Sequence, residues 1–327
     1  MRGALAWGLA LGALLAAILL ALAFGRFPIP PHQLLAILLG REEGPAAIVF
    51  WNIRAPRVAA AILVGAGLAG AGAAFQGMFR NPLASPDLLG VSAGASLGAV
   101  LGIFLGLPVA AIQGLAFAGG VAAVAGVAGL AALVRGRGDP ALLLILAGIA
   151  LGALMGAAIS LLKILADPYN QLPAITFWLL GSLNAVTRGD VVAAAIPACA
   201  GLALLFLLRW RLNLLTLGED EARALGANTT LLRGAAVTGA TLATAAVTAL
   251  AGAVGWIGLV VPHMARMLGG PDLSRLIPLS MLLGAAFLLT VDTAARNLGR
   301  TELPLGILTA LLGTPLFLWL LARGRHA

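Results

Sequence analysis

Apolar residues run through this chain in blocks of about twenty, separated by short polar breaks, with almost no strand-like alternation. A helix that crosses a bilayer needs roughly 20 apolar residues. Ten blocks meet or approach that length: residues 4–24, 56–78, 87–106, 109–134, 141–164, 190–209, 229–250, 254–268, 278–297 and 304–322. The pattern predicts an all-α, polytopic membrane protein with about ten transmembrane helices, read as a single domain over 1–327. The eighth block is the weakest, because Gly252, Gly255, Gly258 and Pro262 interrupt it. Irregular backbone at membrane depth survives only where protein or a water-filled cavity covers it, so this break also points to a pathway. The first block follows Met1-Arg2 and ends in Ala21-Leu22-Ala23, which looks like a cleavage site. It is longer than the usual signal core of about 7–15 residues, so a retained first helix is expected.

Composition supports the same class. Hydrophobic residues make up 61% of the 327 positions and charged residues 10%, against about 25% charged in soluble domains. An ordinary cytosolic enzyme and a disordered chain are both excluded. One cysteine, Cys199, excludes a disulfide scaffold; its apolar surroundings predict a core position. The net charge is +8. The arginines are scattered between apolar runs and form no basic patch, so no nucleic-acid partner is expected. An even helix count puts both termini on one side. That side carries the larger share of the basic residues, which predicts cytoplasmic termini.

Glycine and alanine change the picture of packing. Gly65-Ala66-Gly67-Leu68-Ala69-Gly70-Ala71-Gly72 places small residues on nearly every helix face. Lipid supplies no hydrophobic drive between helices, so close backbone approach must hold them together. This helix is expected to be enclosed by others.

Candidate chemistry is sparse. The only lysine sits in Leu161-Leu162-Lys163-Ile164, so there is no phosphate-binding G-x-x-x-x-G-K-[ST] loop. His32, His263 and His326 lie far apart. Arg80-Asn81-Pro82-Leu83-Ala84-Ser85-Pro86-Asp87 joins two helices and reads either as a rigid turn or as a constriction; Asp87 is placed to cap the next helix. Leu217, Gly218, Glu219, Asp220, Glu221, Ala222, Arg223, Ala224, Leu225 and Gly226 read as one short helix, acids first and Gly226 as its C-cap. It serves either surface packing or docking of a soluble partner. Asp292 and Arg296 lie one turn apart and can pair. Arg54 and Arg57 flank Pro56 and offer bidentate geometry to headgroups or to a partner's carboxylates. Tyr169, Phe177 and Trp178 suit an interfacial belt, or a re-entrant or surface helix.

Several strings together resemble one family. They are Arg54-Ala55-Pro56-Arg57, the run Gln76 to Pro86, Leu89-Gly90-Val91-Ser92-Ala93-Gly94-Ala95, Phe177 to Leu183, and Leu217-Gly218 with Ala224-Leu225-Gly226. Gly258-Leu259-Val260-Val261-Pro262-His263, Asp292 with Arg296, Leu303-Pro304-Leu305-Gly306 and Gly313-Thr314-Pro315-Leu316-Phe317 complete the series. In this order they resemble FecCD-type permeases of bacterial type II ABC importers, over about residues 50–322. The resemblance implies a type II importer permease fold and a second copy of the permease around a central pathway. It also implies two separate ATP-binding subunits and a periplasmic or lipid-anchored substrate-binding protein. No cofactor is implied in this chain; ATP and Mg belong to the partner ATPase.

The same resemblance implies roles. Residues Leu217 to Gly226, within a loop of about 211–228, match the segment that couples to the ATPase. Arg54, Arg57 and Arg296 match arginines that dock the binding protein. Asn81 and Leu83 match a cytoplasmic gate. The other gate element falls on Ala141 and Leu142, after Pro140, where the cobalamin permease has small hydroxyl residues. The expected cargo is a bulky metal chelate, a ferric siderophore first, with haem or cobalamin and less commonly molybdate as alternatives. The alternative class is a secondary transporter with Asp292 as ion relay.

Overall fold

Among the described residues, seven helices are long and apolar enough to span a bilayer, and four shorter apolar helices accompany them. The computed structural model describes residues 2–25, 27–133, 140–217, 219–299 and 301–323. In chain order the α-helices are α1 (Arg2–Ala23), α2 (Pro31–Leu38), α3 (Pro45–Val49), α4 (Ala55–Met78), α5 (Val91–Phe104), α6 (Val109–Leu133), α7 (Pro140–Leu165) and α8 (Gln171–Leu180). There follow α9 (Arg188–Leu212), α10 (Leu214–Leu217), α11 (Glu219–Ala224), α12 (Thr229–Ala251), α13 (Ile257–Gly269), α14 (Leu273–Asn297) and α15 (Leu305–Arg323). Each of the ten expected helices has a counterpart, in α1, α4, α5, α6, α7, α9, α12, α13, α14 and α15. No strand occurs among the described residues.

The glycine-rich α4 is the centre of the bundle, packed by α14, α12, α13 and α9. Backbones touch where side chains would collide. Gly65 meets the Gly284 backbone, and Gly72 meets the Gly258 carbonyl, neither with room for a Cβ. The hairpin of α5 and α6 closes the same way, Gly94 against Gly119 and Gly98 against the Leu115 carbonyl.

Several helix ends differ from expectation, each for a local reason. The second helix begins before Pro56: α3 continues through a π-helical turn, Phe50–Arg54, into α4. Ala55 N–H reaches back five residues to Phe50 O, and the widened ladder accommodates a proline that has no N–H. The ninth helix begins at Leu273 rather than 278, because Asp272 accepts from Ser274 N–H and caps it. The third begins at Val91 rather than 87. Pro86–Leu89 forms a 3-10 turn, and Gly90 takes φ 75° before α5 starts. That displaced start leaves Asp87 too far back to cap α5; its carboxylate accepts from the Ser92 hydroxyl instead. Cys199 is exposed on α9, not in the core. A uniformly apolar helix contains no periodicity to distinguish lipid from protein.

Two helices are half-spans. Val91, the first residue of α5, lies against Gly120 in the middle of α6. Gly258, at the start of α13, lies against Leu68 and Gly72 in the middle of α4. Between α12 and α13 the chain is non-helical at 252–256, with Gly252 at φ 73° and Trp256 at φ 70°. Trp256 is held in that strained conformation by contact with Gly313 and a T-shaped contact with Phe317 at 6.2 Å. The interrupted eighth block is thus a real break at membrane depth.

Candidate transport site

A buried ion cluster ties one end of α4 to α14. Arg57 donates through Nε to both oxygens of Asp292, at 3.0 and 3.1 Å, and pairs through a second nitrogen at 2.9 Å. Its remaining nitrogen pairs with Glu302 at 2.9 Å. Arg296 reaches Asp292 at 3.3 Å and donates to Thr293 Oγ1 at 3.2 Å. Two arginines and two carboxylates balance in charge. Asp292 is fully buried, and Arg57 and Arg296 are 5% and 8% exposed. The expected Asp292–Arg296 pairing is present. Arg57 and Glu302 as its other members were not legible, because neither shares a helix with Asp292. Arg54 is buried separately and donates to the carbonyls of Leu22 and Phe27. In this conformation all three docking candidates are therefore engaged within the chain.

At the other end of α4, Arg80 adopts φ 50° and turns the chain back. Asn81 Oδ1 accepts from Leu83 N–H at 2.9 Å, and the Leu83 side chain is exposed. Asn81 and Pro82 border a cavity of about 610 Å³, with Gln76, Arg266, Asn213 and Asp272. Arg266 donates to Gln76 Oε1 at 3.0 Å, and Gln76 donates to Leu259 O at 3.0 Å. These bonds tie the last turn of α4, just before the chain reversal, to half-span α13. Leu142 is exposed near the start of α7, and the Ala141 side chain lies outside the described residues. The segment after Asn81 and Leu83 meets α7 two turns further on, where Leu88 O abuts Gly148.

The expected coupling segment forms two short helices, α10 and α11, with Gly218 outside the described residues. Ala222 anchors α11 in the protein and is fully buried. Gly226 takes φ 79° and its N–H bonds to Arg223 O, as a C-cap should. Leu217 and Leu225 stand 49% and 63% exposed, beside the exposed Asp220 and Glu221. Tyr169, just before the short helix α8, and Phe177 within it are exposed.

Apolar spans and glycine-welded contacts define a polytopic helical membrane protein, and the short helix α13 borders cavities beside its non-helical break. The FecCD transport family matches residues 13–323, and the chain belongs to it. The "Probable iron chelatin transport system permease protein" of Helicobacter pylori is 42% identical over 290 residues, covering 88% of this chain and 86% of that one. The molybdate import system permease protein MolB of Haemophilus influenzae is 37% identical over 305 residues, covering 91% and 89%. A solved inward-facing ABC transporter, assigned to the metal-chelate type, superposes with a TM-score of 0.88 at 36% identity. That match covers 98% of this chain and 99% of the other.

Proposed function

We propose that this chain is the permease subunit of an ATP-driven, binding-protein-dependent importer of a bulky metal chelate, a ferric siderophore first. The observation that carries this is the family match across nearly the whole chain, with a full-length likeness to a metal-chelate type ABC transporter. The relatives' cargoes differ, with iron chelatin for one and molybdate for another, so haem, cobalamin and molybdate are the competing cargoes. The permease works as a pair of copies in a bacterial inner membrane, both termini cytoplasmic.

Each region then has a task. Leu217 to Gly226 present exposed leucines and acids to a groove on a separate ATPase, which binds the ATP and Mg. No covalent step occurs in this chain; ATP supplies the difference in stability between gate states. Asn81, Leu83, Ala141 and Leu142 border the inner gate. Arg54, Arg57 and Arg296 receive the carboxylates of a binding protein, which competes with Asp292 and Glu302 for them. A relay role for Asp292 is disfavoured, because two guanidiniums already occupy both of its oxygens in a buried site.

The test is reconstitution in vesicles with the cognate ATPase and binding protein. Uptake of a ferric siderophore that needs both ATP and the binding protein is the expected result. Uptake that ignores ATP and follows a proton gradient overturns the reading and favours a secondary transporter.

A further inference from the structure

Asp87 is an acid in an unusual place. It follows the chain reversal at Arg80 and precedes half-span α5, whose first residue lies level with the middle of α6. Gly120, the residue Val91 touches, is about 17 Å along α6 from its start. Half the hydrocarbon thickness is about 15 Å. Asp87 is therefore near mid-membrane, yet its side chain is exposed on the single chain. A carboxylate in lipid at that depth is costly and strongly selected against, so this face borders water or a second copy.

Around it lies a cavity of about 160 Å³, bordered by Asp87, Ser85, Thr244, Trp256, Leu68 and Leu259. The Asp87 carboxylate accepts from Ser92 Oγ and, at 3.5 Å, from Ser85 Oγ. Each contact leaves acceptor capacity on the carboxyl oxygens. Thr244 is 1% exposed and its hydroxyl has no hydrogen-bond partner. A buried hydroxyl in a built protein normally has one. The strained Trp256 forms part of the same wall.

We propose that Asp87, with the Thr244 hydroxyl in the same cavity wall, is a charge-selecting station in the wall of the transport pathway. It favours cationic or neutral, donor-bearing cargo, such as a ferric hydroxamate chelate, over polyanionic cargo such as a catecholate chelate or an oxyanion. The inference rests on the permease reading for what passes. The field itself belongs to this chain alone. The low-dielectric walls around the cavity make a single carboxylate felt across it.

The experiment reads that field without transport. In a Cys199→Ala background, Ser85→Cys and Leu259→Cys are introduced separately into the full chain in nanodiscs. Their reaction rates with cationic trimethylammonioethyl and anionic sulfonatoethyl methanethiosulfonate are compared. The cationic reagent is expected to be faster at both positions. Asp87→Asn keeps the acceptor for Ser92 and should reduce the cation-to-anion rate ratio about tenfold; Asp87→Glu should preserve it. A ratio unmoved by Asp87→Asn overturns the proposal, as does failure of both cysteines to react with either reagent. A purely structural Asp87 would alter stability and leave the ratio alone. Failure of ATP-driven uptake, measured separately, counts against the permease reading and not against this one.

Discussion

Arg57 on α4 grips Asp292 on α14 through both carboxylate oxygens, at 3.0 and 3.1 Å, across 235 positions of sequence. Removing one partner of such a buried pair leaves an uncompensated charge, which costs about 3–5 kcal/mol. Arg57→Ala should lower the thermal midpoint of the detergent-solubilised permease by that equivalent. Asp292→Asn should cost less, because Asn still accepts and its loss of charge is partly offset at Glu302. The joint replacement Arg57→Met with Asp292→Leu should recover most of the loss, since well-packed apolar residues often replace such pairs at little cost. A double variant less stable than Arg57→Ala would refute this account.

Close helix packing makes a contrast between glycines measurable. Gly72→Ala drives a methyl into the Gly258 backbone and should destabilise by about 1–3 kcal/mol or more. At Gly12 of α1, open space surrounds the position, so Gly12→Ala should be neutral or stabilising by up to about 1 kcal/mol. Thermal stability of the two variants, monitored by size-exclusion chromatography, decides it.

Asp272, in the connection between α13 and α14, gives a pH signature. Burial pushes its carboxyl up, but hydrogen bonds from Asn213 and Ser274, with the Arg275 charge, outweigh this and hold it below the usual range. The folded state is then the stronger acid. Its contribution is complete above the unfolded value of about 3.9 and disappears as pH falls through the folded value. Asp272→Asn keeps a capping oxygen and removes the charge. The stability gap to wild type should be constant from about pH 7 to 5 and close below about 4. It should stay under about 1 kcal/mol, since the group is largely in solvent. Melting curves across that range would contradict the argument if the gap widened on acidification.

Leu225 stands 63% exposed beside α11 while Ala222 fastens the helix to the protein. On the proposed coupling role, Leu225→Ser should leave the permease's own melting midpoint unchanged and weaken a complex with the proposed ATPase partner about tenfold or more. Ala222→Leu should do the reverse in part, disturbing the fold of the segment itself. Pull-down of the ATPase alongside a melt separates the two effects.

Much of the architecture is readable from the residues alone, for a simple reason. Spanning a bilayer depends on the hydrophobicity of a local window, so the ten helices appear as blocks, and glycine density marks α4 as central. The Asp292–Arg296 pair follows from one helical turn, and the weak block at 252–258 already announces a break. Pairing across distant sequence has no such local record. Only the packed chain brings Arg57 and Glu302 to Asp292, buries Arg54 on backbone carbonyls, and starts α5 level with the middle of α6. The outward face of α9, with Cys199 on it, was likewise invisible, because lipid and protein interior are equally apolar. Hydrophobicity settles which segments enter the membrane; packing alone settles what each of their faces meets.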